Sequence, residues 1–201
     1  MRLPPEFFQQ ELLEVARQLL GKVLLKDGVG GPIVEVEAYH QDEPACHGHR
    51  GRTARNASLF LAGGRLYVYR IHQSVCANVV TGREAQATAV LLRGLLPVHG
   101  RPTIARRRRG VPERAWTDGP GKLCRALAIV PGDDGRELHA GPISVEDRGL
   151  VVPPGAIGTG PRIGISRATE LPWRFLVDRA GQAALRAQAL ENQPSRAALA
   201  K

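Results

Sequence analysis

The sequence has 201 residues, of which 43% are hydrophobic and 23% charged, as expected of one globular domain with a sizeable core. It contains no apolar run long enough to cross a membrane, and its three cysteines include no Cys-x-x-Cys pair, which argues against a disulfide framework and a zinc ribbon. Lys and Arg outnumber Asp and Glu by 28 to 19, and this net charge of +9 fits either a polyanionic partner or a solvated basic surface.

A helix and a hairpin are predicted at the start of the chain. Pro4-Pro5-Glu6 is typical of a helix start, and leucines recur at helical spacing through residues 11–20, with Gly21 as the stop. Residues 23–25 form a predicted strand, and residues 28–32 a turn into the next strand. No export signal is recognised in the first residues, so a cytoplasmic protein is expected.

The strand predicted at residues 33–39 has an unusual polar face. Because side chains alternate along a strand, its alanine and valines share one face, while Glu35, Glu37 and Tyr39 share the other. Carboxylates are rarely buried unless they are paired or used. The polar face is therefore either solvent surface or a functional site.

A long loop and three strands follow. Residues 41–56 have few core side chains and are interpreted as a loop, which at this length is usually functional or disordered. Strands are predicted at residues 66–71, 75–80 and 88–93. Alternation places Tyr67, Tyr69 and Ile71 on one face of the first of these strands, and Ala89, Leu91 and Arg93 on one face of the last.

The second half of the chain adds a basic run and a glycine-rich helix start. Arg106 to Arg109 fit a solvated loop or helix face as well as a nucleic-acid contact. Asp118-Gly119-Pro120-Gly121-Lys122 opens a helix predicted to end at Ala128, and its free N–H groups suit a phosphate, although the Walker spacing is absent. Further strands are predicted at residues 143–145, 150–152 and 172–177.

These elements predict an α+β fold. Strands outnumber helices and do not alternate regularly with them, which favours a mostly antiparallel, curved sheet flanked by short helices. The whole chain, residues 1–201, is expected to form a single domain, with residues 181–201 as a terminal helix or a loose tail.

The residues alone leave three kinds of function open. One is a basic binding module without catalysis, and another is a metal-free hydrolase in which a carboxylate activates water. The third is a metal-dependent phosphodiesterase, for which suitable ligand types exist but no motif fixes their geometry. Those ligand candidates are Glu35, Glu37, Asp42, Glu43, His47 and His49.

Seven segments occur in a characteristic order along the chain. They are Glu35-Val36-Glu37-Ala38-Tyr39, Ala45-Cys46-His47, Arg52-Thr53-Ala54-Arg55-Asn56, Leu66-Tyr67-Val68-Tyr69, Asn78, Val90-Leu91-Leu92-Arg93 and Gly119-Pro120-Gly121-Lys122-Leu123-Cys124. In this order they resemble the alkyladenine (3-methyladenine) DNA glycosylases, the family of the human alkylpurine enzyme and not the helix-hairpin-helix family. The resemblance extends over nearly the whole chain, from about Pro4 to Phe175.

The resemblance implies hydrolysis of the N-glycosidic bond of a damaged purine that is flipped out of double-stranded DNA. Glu37 matches the general base that deprotonates the attacking water, Arg93 matches the arginine that helps to hold that water, and the backbone at Ile163 aligns with a further water contact. No lysine matches a Schiff-base role, so a monofunctional enzyme is expected, with no metal and no cofactor.

The resemblance also implies a pocket for the flipped base. Aromatic faces stack on purines, and most strongly on electron-poor alkylated ones. The expected lesions are 3-methyladenine, 7-methylguanine, hypoxanthine and ethenoadenine. Asn78 matches the residue that screens the purine 2-position. The predicted pocket residues are Tyr39, His47, Tyr69, Asn78, Leu91 and Ile163.

The segment that wedges into the DNA departs from the family pattern. The family has a tyrosine followed by Gly-Met, whereas this chain is one residue shorter before Asn78 and has the smaller His72 at the wedge position. Arg52, Arg55 and Lys122 are the predicted contacts to the DNA backbone. A monomer is expected, cytoplasmic and nucleoid-associated if the source is prokaryotic, and without membrane contact.

Overall fold

The computed structural model describes residues 1–192 and has eight strands, five α-helices and three short 3-10 helices in that range. The strands are β1 (Val23–Lys26), β2 (Val29–His40), β3 (Leu66–Ile71), β4 (Ser74–Val80), β5 (Thr88–Leu95), β6 (Ile143–Glu146), β7 (Ile157–Gly160) and β8 (Arg174–Val177). The α-helices are α1 (Pro5–Phe8), α2 (Leu12–Gln18), α3 (Arg101–Arg107), α4 (Pro120–Leu127) and α5 (Arg179–Glu191). The 3-10 helices are Ala57–Phe60, Glu113–Ala115 and Pro131–Asp133.

All strand pairs are antiparallel, and β2 is the centre of the sheet. The strand order is β3-β4-β5-β2-β1-β6, and β8, paired with β7, also pairs with β2. The register of β2 against β5 shifts on both sides of Glu35, which bends the strand as a bulge does. The predicted α+β fold with a curved, mostly antiparallel sheet and short helices is confirmed.

The hydrophobic core occupies the face of β2 that the alternation predicted. Val36 and Ala38 are fully buried there, in one cluster with side chains of α2 and α4 such as Val15 and Leu123. Burial of this apolar area from water is the main stabilising contribution. The opposite face of β2 is thereby left for Glu35, Glu37 and Tyr39.

The first two elements after the N-terminus differ from the sequence prediction. The expected helix is split into α1 and α2, because the side chain of Glu11 caps α2 by accepting from the N–H groups of Leu13 and Glu14. The following turn consists of Asp27 and Gly28, both with positive φ (52° and 74°), so β2 already begins at Val29.

Two further differences lie near the C-terminus. Residues 150–152 are not a strand, because the side-chain amide of Gln188 satisfies both the N–H and the carbonyl of Val151. Residues 179–191 are helical, with Leu185 and Ala189 buried and Asp178 as N-cap. For residues 181–201, either a helix or a loose tail had been predicted; residues 193–201 lie outside the described residues.

The outer edge of β3 is covered by the segment that follows the 3-10 helix Pro131–Asp133. Leu66 donates to the carbonyl of Arg136 (2.8 Å) and accepts from the N–H of Gly135 (2.8 Å). Two residues further along β3, the N–H of Val68 donates to the Asp134 carboxylate (2.7 Å). The first three backbone groups on the outer edge of β3 therefore have partners.

Candidate active site

Glu37 is fully buried on β2, and three groups surround its carboxylate. Oε1 accepts from the backbone N–H of Ile163 (2.7 Å) and lies 3.4 Å from Nη1 of Arg93. Oε2 accepts from the hydroxyl of Tyr39 (2.8 Å). The structure thus brings Glu37, Arg93, Tyr39 and Ile163 together at one point.

Burial raises the pKa of Glu37 above the ordinary glutamate value, because it removes water from the ionised form. The N–H of Ile163, the guanidinium of Arg93 and the hydroxyl of Tyr39 oppose that effect, in this order, without cancelling it. The result is a carboxylate that is more basic than an exposed one yet held in a fixed orientation, as general-base work requires.

Glu35, two residues earlier on the same face, has a different environment. Its Oε1 accepts from Nε of Arg93 (3.1 Å) and from Nε of Arg174 (2.7 Å), and its side chain is 21% exposed. Glu35 therefore orients the guanidinium of Arg93, whose other end faces Glu37. The two carboxylates are distinguished by their partners and by solvent.

A cavity of about 710 Å³ opens beside Glu37. Tyr39, Arg93 and Ile163 line it, so the Glu37 carboxylate lies directly behind the wall formed by its own partners. Most other lining side chains come from the loop of residues 41–56, from β3 to β5 and from residues 163–167, and they include His47, His49, Arg50, Tyr67, Tyr69, Ile71, Cys76, Asn78, Leu91 and Arg167. Leu59 and Pro120 complete the lining from the first 3-10 helix and from α4.

Cross-strand pairing explains why distant residues meet in this cavity. Tyr67 pairs with Asn78, Asn78 with Leu91, and Leu91 with Glu37, which forms one row across β3, β4, β5 and β2. Side chains in one row project to the same face of a sheet. Asn78 is buried and donates from Nδ2 to the carbonyl of Tyr67 (3.0 Å), which fixes the orientation of its amide.

Three rings form the aromatic side of the cavity. The centre of the His47 ring lies 4.4 Å from the centre of the Tyr69 ring and 5.9 Å from that of the Tyr67 ring, and both contacts are edge-on. Nδ1 of His47 shares a hydrogen bond of 2.8 Å with the Tyr67 hydroxyl. Burial lowers the pKa of His47, so the imidazole is neutral at neutral pH. Tyr67, which shares the predicted strand face with Tyr69, thus belongs to the cavity wall.

The other predicted site residues lie around the cavity without lining it. His72 is exposed in the two-residue turn between β3 and β4, with a φ of +50°, and its neighbour Ile71 is 46% exposed and lines the cavity. Arg52 and Arg55 are exposed on the loop that also carries His47. Lys122 is exposed on α4 and forms an ion pair with Asp118 (3.0 Å).

The sequence interpretation missed Arg162 and, except as a metal-ligand candidate, Glu43. The Arg162 side chain is fully buried and binds the Glu43 carboxylate through two hydrogen bonds of 2.6 and 3.0 Å. The two residues are 119 positions apart. The only available signal was the position of Arg162 directly before Ile163.

Two further observations concern ligand sites and membranes. Within residues 1–192, no group of three or more His, Cys, Asp or Glu side chains is arranged to hold a metal ion. In the same range, no helix combines the length and apolar character that a membrane span would need.

Comparisons with known proteins indicate the same kind of protein over most of the chain. A family described as methylpurine-DNA glycosylase (MPG) matches residues 6–181. A protein of Rhodopseudomonas palustris (strain BisB18) is 48% identical over 178 residues, which cover 87% of this chain and 86% of that protein. A protein of Agrobacterium fabrum (strain C58) is 46% identical over 176 residues, covering 86% and 87%. Both relatives carry the name "Putative 3-methyladenine DNA glycosylase".

Proposed function

The chain belongs to the methylpurine-DNA glycosylase family, and from that premise we propose that it removes damaged purines from double-stranded DNA by hydrolysis of the N-glycosidic bond. The enzyme is a DNA glycosylase, a hydrolase of the 3-methyladenine type. The proposed substrates are 3-methyladenine, 7-methylguanine, hypoxanthine and ethenoadenine. The single observation that carries the proposal is the buried Glu37 carboxylate directly behind an aromatic cavity.

The cavity suits an extrahelical purine. Tyr39, His47 and Tyr69 present aromatic surface, and a cationic alkylated purine stacks on it more strongly than a neutral one. Flipping a base costs a few kcal/mol, and least for a base whose pairing is already damaged. We assign to Asn78 the screening of the purine 2-position against the amino group of normal guanine, and the bond from its amide to the Tyr67 carbonyl supports this role by fixing the side chain at the cavity.

The chemistry needs one activated water. Glu37 accepts a proton from this water, the water oxygen forms a bond to C1′, and the C1′–N bond breaks with its electron pair leaving on the base. 3-Methyladenine and 7-methylguanine carry a positive charge in the nucleotide and leave as neutral bases. Hypoxanthine and ethenoadenine are neutral in the nucleotide and leave as anions, to which the proton that Glu37 took from the water returns through solvent. The anionic carboxylate also stabilises the positive charge that develops on the sugar.

The reaction is monofunctional and uses no cofactor. A Schiff base requires a lysine amine, and no lysine lines the described cavity. The product is therefore an abasic site in an unbroken strand. We expect the protein to act as a monomer on duplex DNA, at the nucleoid if the source is prokaryotic.

The charge distribution supports binding of the cavity face to DNA. Arg50 and Arg167 at the cavity, with Arg52, Arg55 and Arg70 nearby in sequence, form no ion pair within residues 1–192. Several basic residues that do not line the cavity are instead neutralised, in the pairs Lys22–Asp147, Lys26–Asp133, Arg65–Glu137, Arg101–Glu113 and Arg148–Glu146. Part of the uncompensated positive charge therefore lies at the proposed substrate site, where it can attract phosphates.

The test is release of free base from duplex DNA that carries each of the four lesions, in the presence of EDTA. Glu37→Gln should keep lesion binding and reduce single-turnover excision by about 10²- to 10⁴-fold, because general-base catalysis typically contributes that much. The matched control is Glu137→Gln, which removes an exposed carboxylate outside the cavity.

Two results would contradict the proposal. Full activity of Glu37→Gln would exclude Glu37 as the base, and activity that EDTA abolishes would instead support metal-dependent chemistry. Tight duplex binding without release of any base would indicate a basic binding module. A salt dependence of binding alone could not separate that module from the enzyme, since both would release counterions.

A further inference from the structure

Arg162 is a buried cation that the mechanism above does not use. Its side chain is completely shielded from solvent, and Glu43, its bidentate partner, is 8% exposed. Nη1 also donates to the carbonyl of Ala38 (2.9 Å), and Nη2 to the carbonyl of Ala168 (3.3 Å). The guanidinium thus joins three separate segments: β2, the loop of residues 41–56 and the loop of residues 161–173.

Each of these contacts is next to a group of the active site. Ala38 lies between Glu37 and Tyr39 in the sequence, and the guanidinium carbon of Arg162 lies 4.6 Å from the centre of the Tyr39 ring. Ile163, which directly follows Arg162, donates its N–H to Glu37 (2.7 Å). The Trp173 ring lies at 5.5 Å from the same guanidinium carbon.

A buried ion pair is a weak device for stability. The desolvation of two charges offsets most of their attraction, so apolar replacements of similar volume are often neutral or stabilising. A bidentate guanidinium does fix geometry, because its planar donors define both distance and angle. The Arg162–Glu43 pair is therefore better suited to orienting its neighbours than to holding the fold together.

We propose that Arg162, held by Glu43, is a positioning residue that sets the Ile163 N–H against the Glu37 carboxylate and the Tyr39 ring against the cavity. This inference rests on the proposed function, since it concerns the base and the stacking ring of that same site. Arg162 does not touch the substrate and acts only through Ile163 and Tyr39.

The test compares the full-length protein with R162M and with the double variant E43L/R162M, which removes both buried charges. We measure the single-turnover excision rate of 3-methyladenine as a function of pH, together with the melting temperature. The double variant should keep its melting temperature within a few degrees and lose at least about tenfold in rate. The acidic limb of its pH–rate profile is the range in which the rate falls as Glu37 becomes protonated. This limb should move to higher pH, because the N–H of Ile163 lowers the pKa of Glu37 and would be misplaced in the variant.

R108M is the matched control, because Arg108 is also buried but donates to the carbonyl of Ala115 and does not line the cavity. It should lose stability without a shift of the acidic limb. If E43L/R162M lowers the rate only in proportion to its loss of folded protein, with the limb unchanged, the positioning role is wrong. An unchanged rate and limb would overturn it as well.

The proposed function and the positioning role of Arg162 are tested independently of each other. Excision by the wild-type protein and its loss in Glu37→Gln test the proposed function without reference to Arg162. If both hold while E43L/R162M behaves as the wild type, only the positioning role of Arg162 is overturned.

Discussion

At the residue scale, Glu35 and Glu37 show that environment rather than residue type decides a role. They share a strand face, two positions apart, but Glu35 pairs with two arginines whereas Glu37 is buried with an N–H, a hydroxyl and a more distant guanidinium. Burial raises the pKa of Glu37 above the ordinary glutamate value. The sequence predicted the face but not this difference in solvation.

The raised pKa predicts the pH dependence of excision. The base acts only when ionised, so the rate should fall as the pH falls through the pKa of Glu37, with a midpoint above the ordinary value of 4.5. Tyr39→Phe removes a hydrogen bond to the carboxylate that lowers this pKa, so it should move the acidic limb to still higher pH. Single-turnover rates across pH measure both effects.

Tyr67→Phe is the control for that measurement, because it removes a phenolic hydroxyl from the same cavity. Its hydroxyl bonds His47 and not Glu37. It should therefore leave the acidic limb where the wild type has it. A limb that moves to lower pH in Tyr39→Phe would contradict the assignment of Glu37 as the titrating base.

At the element scale, the turn between β3 and β4 combines strain with exposure. His72 has a φ of +50°, a conformation that costs a non-glycine residue about 1 to 2 kcal/mol, and it lies beside the exposed Ile71 at the cavity. Strain of this kind is often kept at functional positions. These two features are consistent with the predicted wedge role of His72, which remains a prediction.

Replacement of His72 tests this wedge. His72→Gly relieves the strain, so the melting temperature should stay or rise, whereas excision from duplex DNA should fall several-fold because the gap is no longer filled. Excision from single-stranded DNA, which needs no wedge, should change little. His72→Tyr should restore or exceed the duplex rate. If neither variant changes duplex affinity or rate, His72 is not the wedge.

Other elements show what limits prediction from sequence. Alternation sufficed for β2, β3 and β5, because each strand has one face in the core and one in the cavity. The strand β7 was not foreseen, since glycines weaken strand propensity and its pairing depends on β8. The contact between Arg162 and Glu43 depends on tertiary structure, and no local pattern indicates a pair 119 residues apart.

At the scale of the whole molecule, the structure shows where part of the net charge of +9 lies. Arg50 and Arg167 line the cavity without an ion-pair partner within residues 1–192, although arginines elsewhere, such as Arg106 and Arg109, also form no ion pair in that range. The sequence supplied the surplus of charge but not its placement, because ion pairing depends on the fold.

Salt dependence measures this placement. In a Glu37→Gln background, which prevents turnover, Arg52→Ala and Arg55→Ala should each weaken duplex binding at all sequences. Each should also reduce the slope of log K against log salt by about 1, the value for one lost phosphate contact. Lys22→Ala is the control, since Lys22 is paired with Asp147 and does not line the cavity. If the slope of log K against log salt is the same for all three variants, Arg52 and Arg55 do not contact the DNA backbone.

The covered edge of β3 also bears on how this protein behaves at high concentration. An edge strand with free backbone groups is a template on which another chain can add a strand, and such additions lead to aggregates or filaments. Because Gly135, Arg136 and the Asp134 carboxylate already occupy backbone groups of Leu66 and Val68, the first half of the β3 edge is not available for such an addition. A second molecule that meets this edge at high concentration therefore finds its first hydrogen-bonding positions already occupied.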